Sequence, residues 1–134
     1  MTYEQAKEIT GGYIEAMLWS EELDDRFAEG DVTPEAEAEI RGAIMEFVAN
    51  AETCGLLNIT GRSWWVQTDP GSVPEGMPLD DLGRDIYFTR NHHGVGFWDR
   101  GLGKAGDELT DLAQKLGESW PYVTDDERFV GVEG

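Results

Sequence analysis

The chain has 134 residues, 40% of them hydrophobic, with 28 acidic and 10 basic side chains for a formal charge of −18. That length is one domain, residues 1–134, able to bury roughly two-thirds of its unfolded surface in a single core. The charge argues against direct contact with nucleic acid or an anionic membrane, because the three lysines (Lys7, Lys104, Lys115) are too scattered to build a local basic groove.

Other exclusions follow from residue usage. A lone Cys54 forbids an intramolecular disulfide and fits a reducing compartment, and the start MTYEQAKEIT lacks the basic and apolar regions of a signal peptide. A cytoplasmic location is the expectation. No apolar run approaches the ~18 residues that a membrane-spanning helix needs.

The opening segment, TYEQAKEITGGYIEAMLWS, predicts a helix: Thr2 caps it, Gln5 completes a capping box, and Ile9, Tyr13, Ala16 and Met17 recur at helical spacing. Gly11 and Gly12 weaken its middle by up to ~1 kcal/mol each, so close packing or a kink is expected there. SEELDDRFAEGDV follows as an acidic loop. A second helix begins at Thr33 as N-cap with Pro34 at its first position, and Ile40, Ala43, Ile44, Phe47, Val48 and Ala51 form its buried stripe up to Cys54-Gly55.

Residues 56–83 hold three of the five prolines and read as a long connection, with Trp64, Trp65 and Val66 as a short strand or lid inside it. From Asp85 the period changes to two, Ile86, Phe88 and Arg90 alternating with Asp85, Tyr87 and Thr89, then answered beyond NHHG by Val95 to Arg100. This pattern predicts a β-hairpin. A third helix carries Leu102, Leu109, Leu112, Ala113 and Leu116 and stops at Gly117, and WPYVTDDERFVGV predicts a second hairpin turning at Thr124 to Glu127, with Pro121 on an edge strand. The expected fold class is therefore α+β: two N-terminal helices, then β-hairpin, helix and β-hairpin, the hairpins forming a small antiparallel sheet packed against the helices.

Two places have chemical potential. In the first, RNHHGVGFWDR, a site would consist of Arg90, His92, His93, Trp98, Asp99 and Arg100. Paired imidazoles with a returning carboxylate suit a transition metal or acid-base work, two arginines suit a phosphate, and an exposed tryptophan suits a sugar or base. Against this, neighbouring side chains on a strand point to opposite faces. Asn and Gly flanking the histidines are turn residues, and ion pairs of the arginines with Asp85 or Asp99 are the ordinary arrangement. No phosphate loop, nucleophile elbow or zinc-protease helix occurs, so no catalytic residue, metal or cofactor is assigned.

The second is the acidic half. Residues 1–80 carry 17 acids and 4 bases, against 11 and 6 in residues 81–134. Glu21, Glu22, Asp24, Asp25, Glu35, Glu39 and Glu46 lie along the loop and second helix, where carboxylates can imitate the phosphates of a duplex and occupy the basic surface of a nucleic-acid-handling protein. A solvated surface, or the low-lysine composition of a protein from a salt-loving host or its virus, would leave the same charge without a partner.

At YIEAMLWS (13–20), LGRDIYFTRNHHGVGFWDRGLG (82–103), GDELTDLA (106–113) and YVTDD (122–126) the chain resembles a family of small acidic proteins encoded by tailed phages and related mobile elements. The central motif of that family reads approximately F-x-T/L-T-R-N-G-H-G-x-G-F-W-D-R-G. His92 stands where the family usually has glycine. The resemblance transfers no catalytic residue, and implies a phage origin and action on host machinery. The expected function is accordingly a non-enzymatic, phage-encoded protein that binds and inhibits a host protein with a basic surface.

Overall fold

The computed structural model describes residues 1–66, 76–93, 96–97 and 103–134. Its first two helices are those the sequence predicts. Helix α1 (Tyr3–Ser20) opens with the complete Thr2/Gln5 capping box, the Thr2 amide donating to Gln5 Oε1 at 2.8 Å and the Gln5 amide to Thr2 Oγ1 at 3.1 Å. Helix α2 (Pro34–Thr53) opens with the Ala36 amide donating to the Thr33 hydroxyl at 3.1 Å, which satisfies one of the amides a helix start leaves bare. Between them the acidic segment runs as turns and one 3₁₀ turn, Glu29–Asp31.

Of the expected long connection, residues 67–75 lie outside the described residues and residues 79–83 are helical instead; the rest holds β1 (Asn58–Thr60), β2 (Ser63–Trp65) and β3 (Met77–Pro78), an antiparallel sheet in the order β1-β2-β3. Trp64 on β2 is fully buried, its indole donating to the Pro78 carbonyl at 3.1 Å and meeting Phe97 edge-on, while Phe97 stacks on Phe47 of α2 at 5.4 Å between centroids. Trp64 is a core residue joining sheet to helix.

The first predicted hairpin is corrected. Residues 85–90 belong to helix α3 (Leu79–Arg90). The period-two reading rests on only six residues, whereas Leu79, Leu82, Gly83, Ile86, Tyr87 and Arg90, all buried, follow the i, i+3, i+4 rule across three turns. The β-branched and aromatic run Ile86-Tyr87-Phe88-Thr89 has strand propensity, and burial against α1 overrides it. On the answering side, Phe97 is buried; residues 94–95 and 98–102 lie outside the described residues, and with them Val95, Trp98, Asp99 and Arg100.

Helix α4 (Gly103–Gln114) is the third helix of the prediction, and Gly117 ends its trailing turn with φ +81°, a conformation glycine adopts without strain. The second hairpin also forms, from β4 (Trp120–Val123) and β5 (Val130–Glu133), antiparallel with Pro121 opposite Val132. It joins the helices through the Thr33 amide, which donates to the Val130 carbonyl at 2.9 Å. The described chain is thus α+β, with four helices and, in place of the single hairpin-built sheet expected, two separate small antiparallel sheets of three and two strands.

Among the described elements, helices α1 and α3 pack against each other most extensively. Glycine permits their approach: a Cβ on Gly12 would collide with the Asp80 backbone, and one on Gly83 with the Ile9 carbonyl and, at 2.6 Å, the Tyr13 nitrogen. Beside the crossing, Arg84 of α3 reaches Glu15 of α1 at 3.2 Å as well as Asp81 and Asp80 at 2.7 and 3.1 Å. Tyr13 and Tyr87 meet edge to face under it, 5.2 Å apart. Burial holds both phenols above their ordinary pKa, so both remain neutral at physiological pH.

Candidate partner-binding surface

The stretch Thr89 to His93 ends α3 and joins three parts of the fold. Arg90 is only 7% exposed, and its guanidinium donates from Nε to the Gly117 carbonyl at 2.8 Å, from Nη2 to the Leu116 carbonyl at 3.2 Å and from Nη1 to the Tyr13 hydroxyl at 3.3 Å. It therefore neutralises the carbonyl-rich end of the turn that closes α4, where a helix favours a cation. Asn91 accepts from the Ser119 amide at 2.8 Å and donates to the Tyr87 carbonyl at 3.2 Å, fixing the entry to β4. Thr89 accepts from the Phe97 amide at 3.3 Å.

The two histidines separate. His92, with φ +58°, is exposed and sits 3.3 Å from the Gln114 amide on α4. His93 lies among Tyr87, Phe88 and Trp120, with Nε2 3.7 Å from Glu21 Oε1. Among the described residues, no three His, Cys, Asp or Glu side chains group to hold a metal ion. Within the described part of this motif, Arg90 and Asn91 tie the end of α3 to the turn after α4 and to the entry of β4.

The acidic residues have a different arrangement. Glu21 is half-buried, accepting from the Tyr87 hydroxyl at 3.2 Å, so it belongs to the interior network as much as to the surface. Glu22, Asp24 and Asp25 are exposed and line one open cleft of about 840 Å³ together with Trp19, Phe88 and His93. Glu35, Glu39 and Glu46 are exposed on α2, and spacings of four and seven put them on one helical face. Among the described residues, none of these six carboxylates forms an ion pair. Three of the arginines are already matched, Arg41 to Glu37, Arg62 to Glu8 and Arg84 to its three acids.

Sequence reasoning missed Trp19. It is 65% exposed at the end of α1, off the Ile9-Tyr13-Met17 stripe, and that displacement from the apolar stripe was the available signal. It borders a second cleft of about 620 Å³, shared with Ile14, Leu18, Phe27 and Phe88.

No protein-family model, no curated protein and no solved structure matches the chain. None of the described helices is long and apolar enough to cross a membrane.

Proposed function

We propose that this is a non-enzymatic, phage-encoded acidic protein that binds and blocks a host protein carrying a basic surface, with a nucleic-acid-handling or defence protein as the target class. The observation that carries this reading is the set of six exposed carboxylates that form no ion pair among the described residues, Glu22, Asp24 and Asp25 around one cleft and Glu35, Glu39 and Glu46 along one face of α2. Held by a folded scaffold, such charges steer a basic partner into place and release its counterions on contact, as a duplex would. The phage origin rests on the sequence resemblance alone.

The test is a charge-neutral variant in which these six become Gln or Asn. A control neutralises six exposed acids of the C-terminal part, Asp107, Asp111, Glu118, Asp125, Glu127 and Glu133. Both variants change the net charge equally, and circular dichroism checks that both fold. The first is expected to lose at least about tenfold in affinity for the partner captured by the wild-type protein, and the control much less, because close charges dominate over screened ones. Equal effects of the two sets would contradict a localised surface.

A further inference from the structure

The inference here rests on the binding reading above and names what part of the partner the protein takes. We propose that the clefts on either side of Trp19 receive an amphipathic basic segment of the partner, with an apolar side chain seated against Trp19 and Phe88 and flanking arginines or lysines facing the carboxylates.

Two clefts, of about 620 and 840 Å³, share Trp19, Asp24 and Phe88, so they are adjoining parts of one depression between α1, the acidic loop and α3. Both are open clefts whose volumes fall in the ~300–1,000 Å³ range of ligand-binding clefts. The floor of the first is apolar, formed by Ile14, Leu18 and Phe27. A tryptophan left 65% exposed beside such a floor is the type of residue that anchors protein interfaces.

Charge selects the occupant. Glu15, Asp24 and Glu29 rim the first cleft and Glu22 and Asp25 the second. The cation lining the first cleft, Arg84, is already held by Glu15, Asp80 and Asp81. An acidic or neutral apolar segment would meet repulsion or leave these carboxylates desolvated, whereas a basic one compensates them. A second copy of this chain would bring another −18 charges to the same place.

The probe is a fluorescently labelled 14-residue synthetic peptide of leucine and arginine patterned as an amphipathic helix, compared with one in which serine replaces each leucine and one in which glutamine replaces each arginine. Binding is read by fluorescence anisotropy at low salt against wild type, Trp19→Ala, and the triple variant Asp107→Asn, Asp111→Asn, Glu118→Gln, three exposed acids that line neither cleft. Because Trp19 is exposed, Trp19→Ala is expected to keep its melting temperature. The inference expects the leucine-arginine peptide to bind wild type at least tenfold more tightly than either control peptide, Trp19→Ala to lose at least tenfold, and the C-terminal triple variant to change by less than threefold. Equal binding to wild type and Trp19→Ala would overturn it, as would equal binding of the serine peptide. A wild-type dimer that Trp19→Ala converts to monomer would also overturn it, by giving the cleft to a second copy. If partner affinity depends on the six carboxylates of the binding surface while Trp19→Ala is neutral, the cleft inference fails and the binding reading stands; if neither matters, both fail.

Discussion

Alanine at Gly12 is expected to destabilise the protein by about 3 kcal/mol or more, while alanine at the adjacent Gly11 stabilises it by up to ~1 kcal/mol. Both glycines lie inside α1, where helix propensity favours alanine equally. Packing separates them. A Cβ on Gly11 would meet nothing closer than the Glu29 carboxylate oxygens at 3.7 Å, an ordinary contact, whereas one on Gly12 would enter the Asp80 backbone. Backbone cannot step aside as a side chain can, so α1 and α3 would have to move apart along their whole crossing. Gly83→Ala repeats the collision from the other helix, against the Ile9 carbonyl and Tyr13 nitrogen, and should cost as much. Against a total stability of ~5–15 kcal/mol, combining Gly12→Ala with Gly83→Ala should leave little folded protein. Urea unfolding of the three single variants checks this, and equal midpoints for Gly11→Ala and Gly12→Ala would refute the close crossing.

The second large effect is expected at Arg90. Arg90→Met removes three hydrogen bonds from a nearly buried cation and leaves the Leu116 and Gly117 carbonyls and the Tyr13 hydroxyl without that donor. Hydrogen bonds to charged groups are worth ~1.5–3 kcal/mol each and are not additive, so about 3–4 kcal/mol is the expected loss. Arg90→Lys should recover less than half, since a single ammonium cannot cover acceptors arranged around a planar fork. If Arg90 instead served to clamp a phosphate, Arg90→Met would leave the urea midpoint near that of wild type. Amide hydrogen exchange should place the damage at the end of α4 and the start of β4, the two segments that the Arg90 to Asn91 region holds.

These two predictions mark where the sequence was readable and where it was not. The starts of α1 and α2 were legible because capping is local: Thr2 with Gln5, and Thr33 with Pro34, act within four residues. The second hairpin was legible for the same reason, its turn residues lying between two short apolar strands. Residues 85–90 were misread because six residues fit either period, and the deciding information lay in Leu79, Leu82 and Gly83, which the proline-rich stretch before them had assigned to a connection. The role of Arg90 and Asn91 was hidden because their acceptors and donor, at Leu116, Gly117 and Ser119, come from more than 25 residues downstream. Glycine showed that something close was needed in α1, and only the fold distinguishes Gly12 from Gly11.

The acidic surface was partly legible. Composition located the charge in the first 80 residues, and exposure agrees for Glu22, Asp24, Asp25, Glu35, Glu39 and Glu46. Glu21 departs from them because Tyr87, 66 residues away, donates to it. No pattern within the loop distinguishes Glu21 from Glu22.

The most direct test of the account is the salt dependence of partner affinity, measured for the wild-type protein and the six-carboxylate variant from about 50 to about 200 mM NaCl, a range over which screening shortens the reach of surface charge. The account predicts that the wild-type dissociation constant rises at least tenfold across that range while the variant binds weakly and changes little. A wild-type affinity that stays constant, or a variant that binds as tightly as wild type at low salt, would contradict it.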